Sequence, residues 1–128
     1  MFTADQLVAH LVGDYLLQTD WMAREKMRNS VACLVHCVAY TVPFALITQN
    51  PWTLLVIAGA HFVIDRWRLT RFYLWARNIP FVRGRRMSDC TDTGYTSDLP
   101  DSMSRLLFLV ADGTFHILVN GLAIHYLG

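Results

Sequence analysis

Nineteen consecutive residues, Val31 to Gln49, contain no Lys, Arg, Asp or Glu, yet His36 lies among them. A run of this length matches the roughly 20 apolar residues that carry a helix across the hydrocarbon of a bilayer. In that layer every backbone N–H and C=O needs an internal partner, which a helix supplies. Pro43 predicts a kink, and Asn50-Pro51 predicts a tight turn from which Trp52 starts a return helix, apolar through Ile64. Leu106 to Leu127 is long enough to cross again. Leu7 to Gln18 is shorter and interrupted by His10, Asp14 and Gln18, so it either spans or is half-inserted. Beyond Ile64, Asp65, Arg66, Arg68 and Arg71 alternate with Trp67, Phe72, Tyr73 and Trp75, the pattern of a helix lying in the membrane interface. The predicted fold is all-α: a small polytopic transmembrane helical bundle over residues 1–128, with three spans, the N-terminal helix, an interfacial helix and a polar loop at about 79–104. Composition agrees, with 54% hydrophobic and 16% charged residues against about 45–50% and 25% in soluble domains.

The eleven basic residues fall in two windows, 24–28 and 66–105. Short loops rich in Lys and Arg stay in the cytoplasm. Both windows are therefore expected inside, with the Asn50-Pro51 turn and the C-terminus outside, in a multi-pass protein of the cytoplasmic (inner) membrane. The lipid bilayer is the expected partner, and no nucleic acid is. The N-terminus lacks a basic leader, so no cleavable signal peptide is expected. Cys33, Cys37 and Cys90 form no disulfide framework.

Three segments carry an acid and a histidine four residues apart: His10/Asp14, His61/Asp65 and Asp112/His116. On a helix that spacing puts both side chains on one face. His36 adds a fourth imidazole. With the topology above and a rise of about 1.5 Å per residue, all seven groups fall in the cytoplasmic half of the membrane. Ionised acids there are costly and need partners. A divalent ion is the common partner that imidazole and carboxylate both suit, so His10, Asp14, His36, His61, Asp65, Asp112 and His116 are candidate ligands for one or two ions of zinc, manganese or iron. Asp14, Asp65 and Asp112 are candidate general bases wherever they are not ligands. Gln18 extends the His10/Asp14 face and is a candidate to orient a ligand.

Other polar residues read more plainly. Cys33 and Cys37 flank His36 but fit as small apolar fillers. Asp89, Asp92, Asp98 and Asp101 belong to a solvated connector. Asn120 and His125 read as packing and interface residues. The arginines from Arg66 to Arg86 follow from topology, with attraction of an anionic headgroup as the alternative. Gly59, Ala60, Gly113 and Gly121 permit close helix contacts, including those of a homodimer.

The blocks Leu7-Val-Ala-His-Leu-Val-Gly-Asp-Tyr-Leu-Leu-Gln-Thr-Asp-Trp-Met-Ala, His36, His61-Phe-Val-Ile-Asp65-Arg and Asp112 through His116 resemble a bacterial and phage family known as domain of unknown function 3307. The chain departs from its pattern at Gly113, where the family often has Gln, and in the loop before Arg105. The resemblance implies a small polytopic membrane protein with these His and Asp positions as its signature. By analogy the chain is also similar to bacterial membrane-bound metal-dependent hydrolases.

Three functions fit. In the first, an intramembrane metal site near the cytoplasmic face activates water to hydrolyse a membrane-associated or phosphate-bearing substrate. In the second, Asp and His chains relay protons or ions, although the outer half offers only Asn120, His125, Thr41 and Thr48. In the third, a non-enzymatic phage or host regulatory module uses the cluster as a structural metal clamp.

Overall fold

A computed structural model describes all 128 residues as six α-helices linked by turns, without β-strands apart from one isolated bridge. Two compact units result, Met1–Trp67 with His116–Gly128, and Arg68–Phe115.

In the first unit, α1 (Ala4–Leu11) starts on Thr3, whose hydroxyl accepts from the Gln6 N–H. This is the usual N-cap chemistry. The helix then widens into a π-turn over Val12–Leu16, closed by the Leu17 N–H on the Val12 carbonyl at 3.0 Å. The expected single helix Leu7–Gln18 is thus displaced towards the N-terminus and broken by that widening. Thr19 caps α2 (Asp20–Glu25), and a turn leads to α3 (Ser30–Thr41), capped by Asn29.

Pro43 acts where expected, but the outcome is a tightened coil rather than a bend. Proline offers no N–H to the Ala39 carbonyl, and the Val42 N–H takes that carbonyl instead. The chain continues as 3-10 helix over Val42–Leu46. Helical structure therefore ends three residues before Gln49. At Asn50 the side chain accepts from the Trp52 N–H at 2.9 Å, and Pro51 fills the first position of α4 (Pro51–Trp67), where its missing N–H costs nothing. The Asn50 amide also donates to the Leu127 carbonyl.

Every fourth residue of α4 is buried: Thr53, Ile57, His61 and Asp65. This stripe faces α3, which buries Ala32, Cys33, His36, Cys37 and Tyr40. Ala9, Tyr40, Phe44, Ile57 and Ala123 form the apolar core. Many outward-facing side chains are apolar, as Val31, Leu34, Val35 and Val38 are on α3.

The second unit holds α5 (Leu69–Asn78), a loop with a short 3-10 turn at Met87–Asp89, and residues 101–115 of α6 (Asp101–Leu127). The expected continuous extension past Asp65 is cut at Arg68, which takes left-handed φ 48° and ψ 51°. The loop is more ordered than a solvated connector. Arg85 donates to the Gly94 carbonyl at 3.1 Å and to the Cys90 Sγ at 3.3 Å, and the Arg77 guanidinium donates to the Tyr95 hydroxyl at 2.9 Å. Arg68 binds Asp92 at 3.3 Å and lies over the Phe108 ring. Burial pulls the Arg68 guanidinium below its ordinary value, with Asp92 acting against it. Three arginines that read as topology signals thus also hold the loop.

The helix α6, 27 residues long, is the one helix both long and apolar enough to cross a membrane. The apolar helical stretch Ser30–Leu46 and α4 reach 17 residues each, short of the roughly 20 that a full crossing takes. Of three expected full spans, one has the required length.

Candidate metal centre

The site is assembled from α1's π-turn, α3 and α4. The π-turn presents Asp14, α3 presents His36, and one face of α4 presents His61 and Asp65 one turn apart. The four ligand atoms lie within 4.8 Å of one another, and all four residues are buried.

The separations have a definite pattern. His36 Nε2 is 3.0 Å from His61 Nε2, 3.3 Å from Asp14 Oδ1 and 3.3 Å from Asp65 Oδ2. His61 Nε2 is 3.3 Å from Asp65 Oδ2 and 3.8 Å from Asp14 Oδ1. A tetrahedral zinc with bonds of about 2.0–2.1 Å places its donors about 3.3–3.4 Å apart, since a tetrahedron's edge is about 1.6 times its centre-to-vertex distance. The donor set of two imidazole nitrogens and two carboxylate oxygens therefore fits a divalent ion in type and spacing.

Surrounding contacts hold these donors in place. The other oxygen of Asp65 meets His116 Nε2 at 3.2 Å, so that carboxylate is oriented from α6. The His61 ring lies between two others, with centroids 3.7 Å from Tyr40 and 4.0 Å from His116, both stacked. The Tyr40 hydroxyl accepts from the Asn120 amide at 2.5 Å and meets His10 Nδ1 at 3.0 Å. The Nδ1 atoms of His36 and His61 are buried without a hydrogen-bond partner. Stacking orients the His61 ring, in place of the usual acceptor on its second ring nitrogen, and the His36 ring lies tilted against it with centroids 4.9 Å apart.

Of the seven expected ligands, Asp14, His36, His61 and Asp65 come together and His116 joins them through Asp65. His10 does not, because the Tyr40 hydroxyl engages its ring. Asp112 lies in the second unit, where its carboxylate accepts from the Thr70 hydroxyl at 2.5 Å. Gln18 Oε1 is buried without a partner and is not among the four donors. Cys33 and Cys37 are buried free thiols, as fillers would be.

Sequence reasoning missed Lys26. Its ammonium is 2.6 Å from Asp65 Oδ2, 3.3 Å from His36 Nε2 and 3.8 Å from Asp14 Oδ1. It falls within the 24–28 basic window, and no spacing rule links a turn lysine to α4, the second helix after it. Tyr40 was also missed, being one aromatic in an apolar run.

No curated protein and no solved structure matches the chain. Residues 2–126 match the family described as Protein of unknown function (DUF3307), and the chain belongs to that family.

Proposed function

We propose that this protein is a helical membrane protein whose first unit binds one divalent transition-metal ion, zinc by preference, through Asp14, His36, His61 and Asp65. The observation that carries this reading is the spacing of the donor atoms: four separations lie at 3.0–3.3 Å, near the edge of a tetrahedral site, with His61 Nε2 to Asp14 Oδ1 longer at 3.8 Å. Two carboxylates offset the charge of a divalent ion, so the buried site would be neutral. Neutrality matters because unpaired buried charge is costly. The membrane setting is supported by the polarity of the first unit, with His, Asp, Asn and Thr inside and Val and Leu outside. Large exposed apolar surfaces mark contact with lipid or a partner.

The test is elemental analysis of the full chain purified in detergent. Wild type exposed to saturating zinc and then desalted should retain about one equivalent, as a closed four-donor site would hold, while His61→Ala and Asp65→Ala retain far less. A wild-type content no higher than that of Asp65→Ala would overturn the reading.

Hydrolysis is a second reading, and one observation favours it. Four protein donors close a site, whereas catalytic zinc keeps a position open for water, whose pKa it lowers towards about 7. Asp14 is the donor suited to letting go. Its side chain is the most exposed, 9% against 0–3% for the other three, and it sits on a π-turn, a feature found often at functional sites. Released, its carboxylate would serve as general base beside an ion held by His36, His61 and Asp65. On this reading Asp14→Asn keeps its zinc but loses turnover of a phosphate ester or other labile ester. Loss of the zinc together with the fold's thermal stability would favour a structural clamp.

A further inference from the structure

Lys26 sits on the turn between α2 and α3, with its ammonium within 4 Å of three of the four donor atoms. It is the only lysine in the chain. Its placement is enforced by Arg66, in the last turn of α4. That guanidinium donates to the Met27 carbonyl at 2.6 Å, the Arg28 carbonyl at 3.3 Å and the Ser30 hydroxyl at 3.1 Å. The turn after Lys26 is thereby tied to the helix that supplies two of the donors.

We propose that Lys26 is a specificity-determining residue of the metal centre, a tethered cation that an incoming divalent ion must displace. The proposal rests on the metal reading above. An ammonium and a divalent ion cannot both lie against Asp65 Oδ2, since like charges at that range repel strongly in a buried site. The ion gains its ligands only after the Lys26–Asp65 pair breaks and the side chain swings outward on its flexible stem. An ammonium is a point charge satisfied by carboxylate oxygen, with no hold on an imidazole lone pair beyond one hydrogen bond. Ions that bind imidazole strongly therefore displace it most readily, and magnesium or calcium, which take oxygen ligands, do not. Lys26 raises the threshold for every ion and in doing so screens out the hard ones.

The test compares wild type with Lys26→Met and Lys26→Arg, all as the full chain in detergent, by competition of zinc and of magnesium against a chromophoric chelator. Lys26→Met should bind zinc at least about tenfold more tightly, which is about 1.4 kcal/mol, and should begin to take up magnesium. Lys26→Arg should keep the weaker binding of wild type. Equal or weaker zinc binding by Lys26→Met overturns the proposal while leaving the metal centre intact. If neither protein binds zinc, the centre itself is refuted and the proposal falls with it.

A second measurement needs no variant. With a single lysine, acylation by an amine-directed reagent followed by peptide mass mapping reports the state of that one side chain. Labelling of Lys26 should be slow without metal and severalfold faster once zinc is added. A labelling rate that zinc leaves unchanged, in a protein shown to bind it, overturns the displacement.

Discussion

Gly13 lies where the π-turn after α1 comes closest to α3. A Cβ built there would meet the Tyr40 carbonyl oxygen at 2.7 Å and the Tyr40 ring at 2.8 Å. Tyr40 has little room to retreat, being stacked on His61 and tied to His10 and Asn120. Gly13→Ala should therefore destabilise by about 1–3 kcal/mol, as overpacking does, and lower the midpoint of thermal unfolding in detergent. Gly59→Ala is the control. Nothing lies within 4 Å of its Cβ position, so removing a helical glycine there should be neutral or stabilising by up to about 1 kcal/mol. Equal losses in both variants would show that the Gly13–Tyr40 approach is not tight. The same residues mark how far sequence alone reaches. Asp65 and His61 were legible because a four-residue spacing on an apolar helix is rare and chemically pointed. Lys26 and Tyr40 were not, because a lysine in a basic turn and a tyrosine in an apolar run each have an ordinary explanation that only the folded contacts displace.

Between α2 and α3 a short turn carries the burden of joining two elements to a third. Arg66 reaches across from α4 to two carbonyls and one hydroxyl of residues 27–30. Hydrogen bonds from a charged donor contribute about 1.5–3 kcal/mol when buried and less when exposed. Arg66→Met is expected to cost about 1–3 kcal/mol on that basis, seen as a lower unfolding midpoint. Arg28→Gln, which leaves the Arg28 carbonyl in place, should cost little. If both variants unfold together with wild type, Arg66 serves only the charge pattern of the flank. Element boundaries were legible wherever a backbone constraint is written into one residue. Pro43 and Asn50-Pro51 are such cases, and both end or start helical structure as their chemistry requires. The π-turn at Val12–Leu16 and the left-handed break at Arg68 carry no comparable signal. Widening a helix by one residue needs no special side chain, and left-handed backbone normally calls on Gly or Asn. At Arg68 the contacts with Asp92 and Phe108 accompany the strained conformation.

In the first unit many polar side chains are buried beside the apolar core, and many large apolar side chains are exposed. Gln6, His10, Asp14, His36, Thr53, His61, Asp65, His116 and Asn120 are buried, while Leu34, Val38, Val42, Leu46 and Leu55 are exposed. On α3 the outward residues Val31, Leu34, Val35 and Val38 recur at helical spacing, so an apolar stripe of the kind that faces the core of a soluble protein faces outward. On the membrane reading proposed above, hydrocarbon would be the solvent that accepts this stripe at no cost while leaving hydrogen bonds and charge pairs to be satisfied inside. On the same reading, α3 and α4 would enter that solvent as a hairpin with the site-bearing ends beside the basic turn at 24–28, on the cytoplasmic side that basic flanks mark. The prediction concerns the two flanks of α3, Ala23 on α2 before it and Gln49 beyond the 3-10 turn after it. In a Cys90→Ser background, whose remaining thiols Cys33 and Cys37 are buried, Ala23→Cys should be protected in intact cells from a membrane-impermeant maleimide, and Gln49→Cys should react. Both become reactive once the membrane is permeabilised. Equal labelling of the two positions in intact cells would place both flanks of α3 on one side of the membrane, and the hairpin insertion would have to be abandoned.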